Sequence, residues 1–90
     1  MLTVYSKNHC PFCNQATALL TKWDVPFKEV KIDQDPTAKD FVVGQGHRTV
    51  PQIYNGDNLF VEGGFQGLSK LSASEVKSRL GIINDSLGTL

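Results

Sequence analysis

The sequence predicts one α/β domain: a mixed four-stranded sheet with helices on its faces, in the order β-α-β-α-β-β-α. Three observations carry this. Apolar residues switch between strand-like runs and helical spacing along the chain. Two prolines, Pro11 and Pro36, each follow a capping residue at the head of a helical pattern. An Asn-Gly pair lies between the last two apolar runs, a strong hairpin signal. Ninety residues with 40% apolar content suffice for one core and leave no room for two.

Taken in order, Leu2 to Ser6 is a β-branched and aromatic run that reads as a strand. Lys7-Asn8-His9 connects it to Cys10. Phe12, Ala16, Leu19, Leu20 and Trp23 then recur on one helical face. Pro11 suits the first helical position, which puts Cys10 at the N-cap. Asp24-Val25-Pro26 ends this helix, because Pro26 cannot continue it. Phe27 to Ile32 is a second strand, parallel to the first across a right-handed crossover. Asp35 and Pro36 open a short helix with Ala38, Phe41 and Val42 inward, and Gly44-Gln45-Gly46 stops it. Gln52-Ile53-Tyr54 and Leu59-Phe60-Val61 flank Asn55-Gly56-Asp57-Asn58 as an antiparallel hairpin. Gly63-Gly64 opens a helical segment with Phe65, Leu68 and Leu71. Ser72 and Glu75, spaced as a capping box, restart it or break it in two, and Val76, Leu80 and Ile83 continue the pattern. The domain is expected over residues 1–83, with 84–90 as a tail.

Nine basic and nine acidic residues leave no net charge. That speaks against nucleic acid and against a polybasic membrane patch as partners. No apolar run approaches the ~20 residues of a membrane helix, and Met1 to Tyr5 lacks the regions of a signal peptide. The chain reads as cytosolic, where thiols stay reduced and a permanent disulfide is not expected.

The two cysteines, in Cys10-Pro11-Phe12-Cys13, therefore point to chemistry. Only a thiolate attacks a disulfide, and an ordinary cysteine with pKa ~8.5 is about 3% ionised at neutral pH. Making it mostly ionised takes roughly 2.7 kcal/mol. At the N-cap, Cys10 can accept from the Phe12 and Cys13 amides and faces the positive end of the helix dipole. Lys7 and His9 add charge nearby. Cys13, one turn in, stands at a distance that small adjustments bring to disulfide range. Cys10 is thus the attacking thiol and Cys13 the resolving one. A zinc site would need two further ligands, and only His9 and His47 are on offer. Haem attachment would need His where Asn14 stands. No metal is expected. A C-x-x-C pair after a strand and opening a helix is instead the setting of a thioredoxin-like redox motif.

Here the chain resembles the glutaredoxin family. The likeness runs from Tyr5-Ser6-Lys7 into the two cysteines, then through Thr49-Val50-Pro51, then to Gly63-Gly64. It is similar to the small dithiol glutaredoxins of bacteria and phages. The resemblance implies a thioredoxin-like fold with Pro51 cis, Val50 beside Cys10, and glutathione as co-substrate. By position, Lys7 with Arg48 or Gln45 would meet the glycine carboxylate. Phe12 would line the groove, and Val50, within Thr49-Val50-Pro51, would pair with the glutathione cysteine backbone. The Gly64, Phe65 and Gln66 amides would receive the γ-glutamyl carboxylate. Where the family usually carries an acidic residue after the glycine pair, this chain has Gln66 and Gly67.

The resemblance implies an enzyme, a monomer, that reduces protein disulfides and glutathione mixed disulfides, with ribonucleotide reductase among the substrates it admits. Besides a glutathione-sensing or purely structural thioredoxin-like domain, two other readings stay open. One is a glutaredoxin-like hydrogen donor reduced by thioredoxin reductase. The other is a binding module in which two copies share an iron–sulfur cluster through Cys10 and glutathione.

Overall fold

One of the two interior strands is β1 (Leu2–Ser6), and its alternation of buried and half-buried residues reflects helices packed on both faces of the sheet. In this computed structural model, which describes residues 1–81, β1 pairs in parallel with β2 (Phe27–Lys31) and antiparallel with β3 (Gln52–Asn55). β4 (Asn58–Val61) pairs antiparallel with β3, completing a sheet of order β2-β1-β3-β4. The helices are α1 (Pro11–Lys22), α2 (Pro36–Gly44), α3 (Gly64–Ser69) and α4 (Ala73–Leu80). The segment after the hairpin is thus two helices, because Ser72 is held extended to cap α4, accepting from the Glu75 amide at 3.1 Å. Ile83 and the expected tail lie outside the described residues.

One face of the sheet carries Leu2, Val4 and Ile53 against Ala16 and Leu20 of α1, Leu68 of α3 and Val76 of α4. The other face is aromatic. Phe41 of α2 lies 5.6 Å from Tyr5 and 5.2 Å from Tyr54, ring to ring. His47 Nε2 meets the Tyr54 hydroxyl at 2.6 Å.

Three local expectations are revised. The buried stripe of α1 is Cys13, Ala16 and Leu20, not a stripe beginning at Phe12, which is 53% exposed. One residue turns a helix by about 100°, so starting the stripe one place early rotates it off the core. The end of α1 is set before Pro26 by Asp24, which adopts φ 61°. Asp24 N–H donates to Thr21 O and Val25 N–H to Leu20 O, the paired bonds of a Schellman cap. Finally, the hairpin loop is two residues, Gly56-Asp57, since Asn55 and Asn58 pair within the ladder. Gly56 takes φ 64° as the first of the two, where a type II′ turn needs glycine.

Burial raises the pKa of Tyr54 above the ordinary tyrosine value, and Tyr5 is raised by burial first and then by Asp57, Tyr54 and Asp35. A raised acid pKa means the folded state holds its proton longer than the unfolded chain. Stability from these rings is therefore complete below the unfolded value of ~10 and is lost as pH rises beyond it. Urea midpoints taken from pH 8 to pH 11 should fall for the wild type, and fall less steeply for Tyr54→Phe. Parallel slopes would contradict this.

Candidate functional site

Pro11 presets the first turn of α1 and leaves Cys10 extended at the N-cap, with φ −116° and ψ 99°. Its Sγ accepts the Cys13 amide at 3.3 Å. Of the two amides expected to reach it, Cys13's is the one that does. Cys10 and Cys13 are joined as a disulfide with Cα atoms 5.2 Å apart, inside the usual range. Cys13 is fully buried and Cys10 is 6% exposed, so an incoming group meets Cys10 first. Lys7 and His9 are both exposed, and His9 adopts φ 59°.

The Val50–Pro51 peptide is cis, and Val50 O lies 3.9 Å from Cys10 Sγ. Beside it opens a groove of about 380 Å³. Thr49, Val50 and Pro51 form one wall, Gly63 to Gln66 another, and Phe12 completes it. Phe12 stacks on Phe65 with ring centres 6.2 Å apart. Gly64 is buried against Pro51, and a Cβ there would stand 2.5 Å from Pro51 O. That contact, together with φ 57°, is why glycine stands at position 64. Of the amides expected to face the groove, that of Gln66 already donates to Gly63 O at 3.1 Å.

A second hollow of about 180 Å³ shares Thr49 and Val50 with the first. Lys7 and Arg48 line it together with Lys39 and His47. The structure thus brings Lys7 and Arg48 to one side of the Thr49–Val50 edge, and Gly64, Phe65 and Gln66 to the other. Gln45 caps the end of α2 and lines neither hollow. The sequence pattern points to neither Lys39 nor His47 as a lining residue. Lys39 had a signal, since it precedes Val42 and Val43 by one turn of α2. Gln52 reads in the sequence only as strand, yet it is buried and donates to Thr49. Gly67 packs so closely on the end of β4 that a Cβ would overlap Glu62 O. Among the described residues, no three His, Cys, Asp or Glu side chains gather as a metal site, and no helix is long and apolar enough to cross a membrane.

Comparison with known proteins agrees with this geometry. The family model described as Glutaredoxin matches residues 2–60. The glutaredoxin-like protein NrdH of Lactococcus lactis subsp. cremoris (strain MG1363) is 37% identical over 60 residues, spanning 67% of this chain and 83% of that protein. Among solved structures, the glutaredoxin-like NrdH-redoxin from Escherichia coli superposes with TM-score 0.67 at 25% identity, covering 79% of this chain and 93% of that one. A buckwheat glutaredoxin–glutathione complex gives TM-score 0.63 at 25% identity, over 89% of this chain and 69% of that one.

Proposed function

Because the chain belongs to the glutaredoxin family, we propose that its thiol–disulfide chemistry is glutathione-dependent reduction of protein disulfides and glutathione mixed disulfides through Cys10 and Cys13. The observation that carries the reading is Cys10 Sγ at the head of α1, bonded by the Cys13 amide and set beside the Val50 carbonyl at the groove wall.

In the reduced protein, the Cys10 thiolate attacks one sulfur of the substrate disulfide. A Cys10–substrate bond forms and the other substrate sulfur leaves as a thiolate. Cys13 then attacks Cys10, releasing the second substrate thiol and closing the Cys10–Cys13 disulfide. Two electrons have moved from the dithiol to the substrate, and two glutathiones return them, leaving as glutathione disulfide. With a glutathionylated substrate, Cys10 takes up the glutathionyl group and a second glutathione resolves it. The α1 N-terminus and the Cys13 N–H stabilise the Cys10 thiolate, both as attacker and as leaving group.

The buckwheat complex supports glutathione as occupant of the groove. Lys7 and Arg48 would hold one carboxylate from the second hollow, Phe12 and the Thr49-Val50-Pro51 wall would hold the middle, and the Gly64 to Gln66 segment would hold the other end. The compartment we read is the cytosol, with disulfide proteins such as ribonucleotide reductase as partners.

A second reading has its own support. The structure leaves no room for a side chain at Gly67, and the E. coli NrdH-redoxin is described as having a thioredoxin-like activity profile. Thioredoxin reductase would then be the electron donor. The two classes differ in potential by about 40–70 mV, or about 2–3 kcal/mol for two electrons. The discriminating experiment offers the oxidised protein either glutathione with glutathione reductase, or thioredoxin reductase, each with NADPH. Turnover through glutathione is expected. Turnover through thioredoxin reductase alone would overturn glutathione dependence and leave the dithiol chemistry standing.

A further inference from the structure

Gln52 opens β3 and is 6% exposed. It pairs in register with Tyr5, on the sheet face otherwise given to Tyr5, Tyr54 and Phe41. Burial at such a position asks only for an apolar side chain of similar length. An amide there must find partners, and this one finds them in a single residue. Gln52 Nε2 donates to Thr49 O at 3.0 Å and to Thr49 Oγ1 at 3.3 Å. Thr49 itself is exposed and lines both hollows. A buried strand residue therefore grips, from beneath, the exposed loop residue that the two hollows share.

The two bonds do different work. The bond to the carbonyl fixes the backbone one residue before Val50, whose own carbonyl lies 3.9 Å from Cys10 Sγ. The bond to Oγ1 polarises the hydroxyl. A hydroxyl offers one proton and two lone pairs. With Gln52 donating into a lone pair, the Thr49 proton is turned away from the amide and toward the open side. We propose that Gln52 is a positioning residue, which sets the Thr49 hydroxyl as a hydrogen-bond donor to a carbonyl or carboxylate oxygen of the bound disulfide substrate. The inference rests on the thiol–disulfide reading above and adds an affinity determinant away from the cysteines.

The test mixes reduced protein, in single turnover, with glutathione disulfide carrying self-quenched fluorophores. No electron donor is needed. The concentration dependence gives a half-saturation value and a limiting rate. Gln52→Met keeps length and burial and removes both donors. It should raise half-saturation about fivefold, the worth of one ordinary hydrogen bond, with the limiting rate within about twofold, since bond exchange at sulfur is untouched. Gln52→Asn, which retracts the same amide by one methylene, should do likewise and gives a second reading if the methionine variant folds poorly. Thr49→Val should match them, and Thr49→Ser, which restores the hydroxyl, should return to wild type. Combining Gln52→Met with Thr49→Val should add little to either change alone, because the two act as one unit. Unmoved half-saturation in the Gln52 variants, or a combined effect near the product of the two, overturns the proposal. A wild type that leaves the probe intact, or a Cys10→Ser protein that reduces it equally fast, would instead break the thiol–disulfide reading itself.

Discussion

Cys10→Ser is expected to abolish reduction both of a protein disulfide such as insulin and of a glutathionylated peptide, while leaving the fold in place. The loss follows from chemistry: a serine hydroxyl does not ionise at neutral pH and cannot exchange with a disulfide, whereas a thiolate can. The retained fold follows from position. Cys10 caps α1 by accepting the Cys13 amide at 3.3 Å, and serine is among the preferred N-cap residues. Helix content and the melting temperature of the reduced protein should therefore match wild type within a few degrees, so lost activity is not lost structure. Cys13→Ser separates the two half-reactions. It should lose reduction of protein disulfides and keep removal of glutathione from peptides, because Cys10 still attacks and free glutathione resolves. Mass spectrometry should find Cys10 in a stable mixed disulfide with the protein substrate. Retention of either activity in Cys10→Ser would remove Cys10 from the role assigned to it.

Placing an acidic residue at position 67 should cost the fold dearly. A Cβ there would overlap the Glu62 carbonyl oxygen and stand 2.8 Å from Val61 Cγ2. Val61 ends β4 and Glu62 follows it, and the Glu62 backbone yields far less readily than the tip of a flexible side chain. Forcing atoms into such a site costs about 3 kcal/mol, against a total margin of about 5–15 kcal/mol. At about 4–8 °C per kcal/mol for a domain this small, Gly67→Asp should lower the melting temperature by about 12–24 °C by circular dichroism. The internal control is Gly44→Ala. Gly44 lies in α2, and a Cβ added there would meet nothing within 4 Å, so alanine should be neutral or raise stability by about 0.5–1 kcal/mol. A Gly67→Asp protein that melts like wild type would show that the end of β4 gives way at little cost. The absence of an acidic residue at this place is thus tied to how closely α3 is seated on the chain at Val61 and Glu62.

The features legible in the sequence are those whose causes lie within a few residues. Cys10 followed by Pro11 is a cap and a first-turn proline, and the cap bond it makes closes over three positions. Asp35 before Pro36 behaves alike, with Oδ1 accepting the Ala38 amide at 3.1 Å. The hairpin announced itself through Gly56, which supplies a positive φ where a tight turn needs one. From such signals the element order, the parallel first pair and the antiparallel hairpin could all be read. Sequence also placed the two cysteines one helix turn apart, and the structure joins them as a disulfide at the head of α1.

What sequence left open depends on which distant segments pack together. Spacing could not say whether Phe12 or Cys13 begins the buried face of α1. That is decided by the tertiary packing, which buries Cys13 completely and leaves Phe12 to stack on Phe65 of α3. Nor could it show that Lys7 and Arg48 meet across one hollow while Gly64 and Phe65 line another, with Thr49 and Val50 between them. Gln52 looked like an ordinary strand residue until the loop before it folded back onto its amide. By itself, then, the sequence determined the elements, their order and the pairing of the two cysteines at the head of α1, because caps, turns and periodicity act over three or four residues. Only the tertiary structure decided the walls of the groove and the grouping of the cations, because those contacts join positions as far apart in the chain as Phe12 and Phe65 and exist only once the sheet has brought them together.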